Sequence, residues 1–293
     1  MYKLTTIFLS MFLIVELNAQ LVEIQANYNS IGDVEFIAYN NSQTPVFLNI
    51  DFADLENTSF NETLPYIKLL DPGFNNLFIL ERDLDADVPR FNYEIKSFRS
   101  NPMALVNLDF PYLFPFKTGT KVSVLDVGNI VGFWGMNEPK SWNATGFKTN
   151  QGQVICASRR GTVVEIVGAN RTGEPENWYH TWNNAITILQ PDGTLICYRN
   201  VVDKNKKLKI GQKVFPGEII GEIAPYETEL VMLIFQSSLN TKELLFIIPQ
   251  FVTEENKLEM IITSKDYLVV HPGNIRGMEM TNKEKRKILN TKR

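Results

Sequence analysis

The chain is poor in the side chains that metal and thiol chemistry need. Its 293 residues hold two histidines, His180 and His271, and two cysteines, Cys156 and Cys197. No pair of histidines stands at metal-ligand spacing and the two cysteines lie far apart. The closely spaced phrases by which a zinc site is read in a sequence are therefore missing. Neither cysteine has a histidine nearby in sequence to act as its base, which argues against a cysteine nucleophile. No apolar run reaches the roughly 20 residues that span a bilayer. A net charge of −4 excludes the concentrated basic surface that binds nucleic acid without sequence preference. With 44% hydrophobic residues, 11% aromatic residues and no low-complexity tract, the chain has the composition of a folded protein of about two domains.

What is present begins with a targeting segment. Lys3, the apolar run Ile7 to Val15 and the small residue Ala19 read as a secretory signal peptide over residues 1–19. No cysteine follows the run, so lipid anchoring is not indicated. The mature chain is expected in the periplasm or outside the cell.

Residues 20–108 hold short apolar or alternating runs, among them Val34–Tyr39, Val46–Ile50, Tyr66–Leu70, Leu77–Leu80, Phe91–Ile95 and Ala104–Val106. Clusters of Asn, Ser, Asp, Pro and Gly separate them. Regular short strands over about 90 residues fit an immunoglobulin-like sandwich. Asp83, Asp85 and Asp87 alternate as calcium ligands can, but the Gly and terminal Glu of a calcium loop are missing, and a solvated loop fits better.

The densest pattern lies between Gly146 and Gln236. Gly152, Gly161, Gly193, Gly211, Gly217 and Gly221 punctuate runs of β-branched and aliphatic residues, which reads as a strongly coiled β core. Thr162–Ile166 and Ile186–Ile188 supply strands, Pro191-Asp192-Gly193 turns the chain back towards Leu195, and Gly211 and Gly217 are expected to bracket a hairpin. Cys156 and Cys197 fall on strands of this core, where a disulfide and two buried thiols are both open.

Three phrases of this stretch, GFKTNQGQVICASRRGTVVEI, AITILQPDGTLICYRNV and LKIGQKVFPGEIIG, resemble in order and content those of the lysostaphin/LytM-type zinc peptidases, metallopeptidase family twenty-three. The resemblance runs from about Phe114 to Phe251. It implies an all-β chain, with the N-terminal sandwich followed by a LytM-type (duplicated hybrid motif) β core over 109–270 and a basic tail over 271–293. The family cuts peptide cross-links in bacterial cell walls. Its zinc is held by the His and Asp of an HxxxD phrase and the last His of an HxH phrase, with two more histidines assisting the water. The corresponding positions here are Trp142 and Gly146 for HxxxD, Asn200 for the His of a YxHL phrase, and Met232 and Ile234 for HxH. None offers the nitrogen, carboxylate or thiolate that zinc takes. The resemblance thus implies a pseudoenzyme without metal or other cofactor, binding peptidoglycan peptides or an envelope protein. An active peptidase with rebuilt ligands, using His180 with Asp203 or Glu229, is the alternative. A hammerhead of the biotinyl/lipoyl carrier kind would need an exposed Lys in a tight turn between Met or Asp neighbours, a phrase that does not occur.

Trp178, Tyr179, His180 and Trp182 crowd one polar loop. They are candidates for a stacking platform against sugar or peptide, or for a lid packed over the core. Arg159-Arg160 is either a carboxylate-binding pair or an exposed one. Six cations against Glu284 give Asn282 to Arg293 a net +5, leaving about −9 on the rest. Such a tail reads as a solvated terminus, or as one that touches an anionic surface.

Overall fold

A computed structural model describes residues 22–42, 44–127, 140–168, 184–239 and 244–289. It is all-β apart from two short helices near the C-terminus, and no helix among the described residues is long and apolar enough to cross a membrane.

The N-terminal unit pairs two three-stranded sheets. One has the order β1 (Val22–Tyr28), β2 (Val34–Asn40), β5 (Gly73–Leu80), and the other β4 (Tyr66–Leu70), β3 (Val46–Glu56), β6 (Arg90–Phe98). Alternation makes it a sandwich: Val34, Phe36 and Ala38 of β2 point inward, as do Leu48 and Ile50 of β3. Phe36 packs against Phe52, Phe78, Phe91 and Tyr93, with ring centroids 4.7–5.9 Å apart. Its six strands are one fewer than the simplest immunoglobulin fold has. Ala104–Val106, expected as a strand, is irregular.

The second unit is built on a nine-stranded sheet. Its main path runs β15 (Lys213–Val214), β11 (Gly161–Val167), β12 (Ala185–Leu189), β13 (Leu195–Arg199), β17 (Glu229–Ser237), β9 (Thr145–Lys148), β8 (Lys121–Leu125), β21 (Asp266–Leu268). From this path β18 (Leu244–Phe246) branches off β17. Two small sheets cover its inner face: β10 (Val154–Cys156), β16 (Ile219–Ile223), β14 (Val201–Val202), and β20 (Leu258–Glu259), β19 (Gln250–Val252), β7 (Pro111–Tyr112). The main core lies between, with Phe114, Phe116, Phe147, Tyr198, Phe251 and Ile196 fully buried.

The Pro191-Asp192-Gly193 turn forms as expected. Gly193 has φ 88°, and Asp192 Oδ1 accepts from the backbone and hydroxyl of Thr194. The Gly211–Gly217 hairpin does not form. Lys213 and Val214 pair with Thr162 and Gly161, whereas β16 crosses into the small sheet beside β10 and β14. Cys156 and Cys197 lie in different sheets as free, buried thiols.

The C-terminal segment is ordered rather than a loose tail. It forms α1 (Gly273–Arg276) and α2 (Asn282–Ile288). Thr281 and Glu284 close a capping box at the start of α2, satisfying backbone donors that a helix leaves open. Glu284 also reaches Arg160 at 2.8 Å. The stronger tie is Arg159, only 3% exposed. Its guanidinium lies 3.7 Å over the Phe110 ring and donates to Glu279 (2.6 Å), Asp192 (2.7 Å), Gln190 (2.9 Å) and Tyr112 (3.2 Å). Burial works against its charge, but the Glu279 hydrogen bonds and surrounding charges more than restore it, so its pKa rises. The pair Arg159-Arg160 therefore does bind carboxylates, those of its own chain.

Replacing Arg159 with Met would leave Asp192 and Glu279 without their cation in a mostly dry site. The expected loss is about 3 kcal/mol or more in urea unfolding, with amide exchange rising first over 273–289.

Candidate functional site

Because successive side chains of a strand point to opposite faces, the register of the central sheet fixes which residues can meet. Gly146 lies opposite Val231, and Thr145 opposite Met232. Met232 in turn pairs with Tyr198, and Ile234 with Ile196. Met232 and Ile234 therefore point inward, among Tyr198, Phe147 and Ile188. Met232 Sδ is 3.6 Å from the Ser158 hydroxyl, whose backbone N–H donates to Tyr198. Val231, Leu233 and Phe235 face the other way, on the side of Trp142, Ala144, Cys197 and Phe246.

The positions expected for the HxxxD and HxH phrases therefore fall on different faces. Gly146 and Trp142 stand on the outer face, Met232 and Ile234 on the inner one, and no ion could be reached from both. A slip of one residue along a strand exchanges its faces. On the outer face the pair flanking Gly146 is Val231 and Leu233.

The outer face is filled. Trp142 stands edge-on to Phe246 with ring centroids 4.8 Å apart. Ser141 fixes this contact, its hydroxyl accepting from the Phe246 N–H at 3.1 Å and donating to the Leu244 carbonyl at 3.3 Å. Phe235 pairs in register with Phe246, and both belong to the same apolar cluster. A β-carbon on Gly146 would lie 2.4 Å from Val127 Cγ2 and 3.2 Å from the Leu125 carbonyl oxygen, so the position has no room for a carboxylate side chain. Asn200 ends β13 at φ 66°, a conformation Asn tolerates better than most residues. Its amide donates to the Glu229 carbonyl (3.1 Å) and its N–H to the Asn184 carbonyl (2.7 Å), tying three segments together.

Polar groups survive along one side of this face. Glu165 accepts from Arg99 at 2.8 Å and from Thr187 at 3.2 Å. Cys197 lies beside them, its pKa pushed up to about 12 by burial. Arg199, opposite Val231, is 8% exposed, and burial lowers its pKa. Nothing in the phrase around Arg199 marks it, because its burial depends on which face of the strand it occupies. Asp203 accepts from the Leu208 N–H, and Glu229 lies at the start of β17 opposite Lys148. His271 lies apart, donating from Nε2 to the Phe114 carbonyl at 3.1 Å, with its pKa lowered by burial. Trp178, Tyr179, His180 and Trp182 lie outside the described residues.

This donor set does not fit zinc. Trp142, Gly146, Val231 and Leu233 supply no ligand atom, and among the described residues no three His, Cys, Asp or Glu side chains gather closely enough to hold a metal.

No protein-family model matches the chain, and no curated protein matches it. Solved structures do. The LytM protein of Ruminococcus gnavus is 19% identical over 47% of this chain, with a TM-score of 0.31, and this chain spans only 55% of that protein's length. The catalytic domain of lysostaphin, an antimicrobial peptidase of Staphylococcus simulans, is 21% identical over 42% of this chain and 83% of its own, with a TM-score of 0.27. Csd3 of Helicobacter pylori is 11% identical over 88% of this chain and 77% of its own, with a TM-score of 0.32. At such scores the functional reading rests on the residues themselves.

Two outcomes follow. Gly146→Ala is expected to destabilise the fold by about 1–3 kcal/mol through overpacking against Val127 and Leu125, read as a lowered urea midpoint. The Cys156 thiol, raised by burial to about 11, and that of Cys197 stay protonated at pH 8. Iodoacetamide should leave both unmodified in the native protein and label both in guanidinium chloride.

Proposed function

We propose that this chain is a catalytically inactive relative of the LytM/lysostaphin peptidases, exported and used as a binding or regulatory module of the cell envelope. One observation carries the reading: the sheet face that would hold the metal is packed with Val231, Leu233, Phe235, Phe246 and Trp142. A hydrolytic zinc site needs about three protein ligands and an open position for water. Here the ligand positions we assign, Trp142, Gly146, Val231 and Leu233, contribute surface to an apolar cluster. Burying them stabilises the sheet and leaves no group to polarise a carbonyl or lower the pKa of a water.

The three glycine-punctuated phrases tie this face to the peptidase family, whose substrates are wall peptides. That makes peptidoglycan, or an envelope protein that acts on it, the partner class we favour. The signal-like segment over 1–19 is consistent with such a place of work. We place the binding surface at the loop holding Trp178, Tyr179, His180 and Trp182, whose rings suit a sugar or peptide face.

The test pairs metal content with wall binding on one preparation. Elemental mass spectrometry should find well under one zinc per chain, sacculi should show no release of soluble fragments, and the protein should sediment with them. Stoichiometric zinc with fragment release would overturn the reading in favour of a working peptidase. Absence of both zinc and wall binding would shift the partner to a protein.

A further inference from the structure

A cavity of about 350 Å³ opens at the seam between the sandwich and the central sheet, beside the β15–β11 edge of the outer face. The sandwich contributes Phe47 and Leu69, and Asn101 follows at the junction. The sheet contributes Leu189, Pro191 and the ends of β11 and β15. Clefts between packed units, with an apolar floor and a few polar groups, are where small ligands bind.

The hydrogen-bond accounting at its wall is one-sided. The side-chain acceptors are taken. Asp192 Oδ1 accepts from Thr194 and Oδ2 from Arg159, at 2.7 Å each for the Thr194 hydroxyl and the guanidinium. Gln190 Oε1 accepts from Tyr112 and Arg159, and Asn101 Oδ1 from the Met103 N–H. Because Arg159 can only donate, the Gln190 amide has one possible orientation, with Nε2 left over. Two buried side-chain donors are idle: Gln190 Nε2 and Arg160 Nε have no hydrogen-bond partner among the described residues, and the exposed Lys213 stands at the rim beside them. Buried donors without acceptors are rare in native proteins.

We infer that this seam cavity binds a small carboxylate carrying an apolar side chain, such as the C-terminal residue of a peptide. The carboxylate supplies acceptors for Gln190 Nε2 and Arg160 Nε and a counter-charge for Lys213 at the rim, since Arg160 already pairs with Glu284 through its other nitrogens. The side chain lies on Phe47, Leu69 and Leu189. A neutral polar ligand would meet the same donors without the charge-assisted hydrogen bonds that make such contacts strong. The cavity shares Phe47 and Leu189 with the outer-face cluster but uses none of Trp142, Gly146, Val231 and Leu233, on which the envelope reading rests, so the two fail separately.

N-acetyl-glycyl-leucine and its C-terminal amide test it by amide chemical-shift titration of the full mature chain. The acid should shift the amides of Gly161, Thr162, Gly193 and Lys213 and bind at least tenfold more tightly than the amide. Lys213→Glu, at an exposed position, should abolish the difference with an unchanged melting temperature, and Leu69→Asp should weaken binding of the acid. Lys121→Glu, in a different cleft, should change neither. Equal binding of acid and amide, shifts centred elsewhere, no shifts at all, or full binding by Lys213→Glu would each overturn the inference. None of these results would alter zinc content or sedimentation with sacculi.

Discussion

The strands at the centre of the main sheet carry apolar side chains on both faces, and the remaining segments are placed so that neither face meets water. Ile196, Tyr198, Met232 and Ile234 press into the inner core, while Cys197, Val231, Leu233 and Phe235 belong to the outer cluster. The inner face is closed by the two small sheets and the aromatic run Phe110 to Phe116. The outer face is closed by Trp142, by the β17–β18 hairpin, and at one end by Phe47, Ile67 and Phe98 of the sandwich. A sheet of this kind is stable only when doubly covered. In a hydrolase of this architecture one face would have to stay open and polar.

Arg159 is the polar counterpart of that constraint. It sits at the rim of the inner core, where an arginine is tolerated because every direction of its guanidinium is answered by a carboxylate, an amide, a phenol or a ring. Its partners come from the β12–β13 turn, from β7 and from the segment between the helices. With the Glu284–Arg160, His271–Phe114 and Arg276–Pro216 contacts, it holds the last 20 or so described residues against the sheet. A buried pair of this sort adds little net stability over an apolar equivalent, but losing one partner is costly. It therefore acts as a specification of where the C-terminal segment goes.

Much of this was legible from the amino acids. Alternation at Val34, Phe36 and Ala38, and glycines before and after Thr162–Ile166 and Ile186–Ile188, mark strands that form. The face of β17 was not legible. Leu230 to Phe235 is apolar at every position, so no alternation tells inside from outside. Only the pairing with Thr145 and Gly146 fixes which side chains share a face with Gly146. The helix at 282–288 was legible in principle, since Thr281 and Glu284 spell a capping box, although the run of cations around them has the composition of a solvated terminus. The partners of Arg159 were beyond reach, because Glu279 lies 120 residues away in sequence.

The inward turn of Glu284 gives the molecule an electrical polarity. The one acid of α2 is spent on Arg160, while Lys283, Arg286 and Lys287 are exposed. Their spacing of three and four residues sets them side by side on one flank of the helix. The rest of the chain is then more acidic than its total charge suggests. In the field of any anionic surface such a body would turn before contact, with the exposed cations of this helix drawn towards the charge.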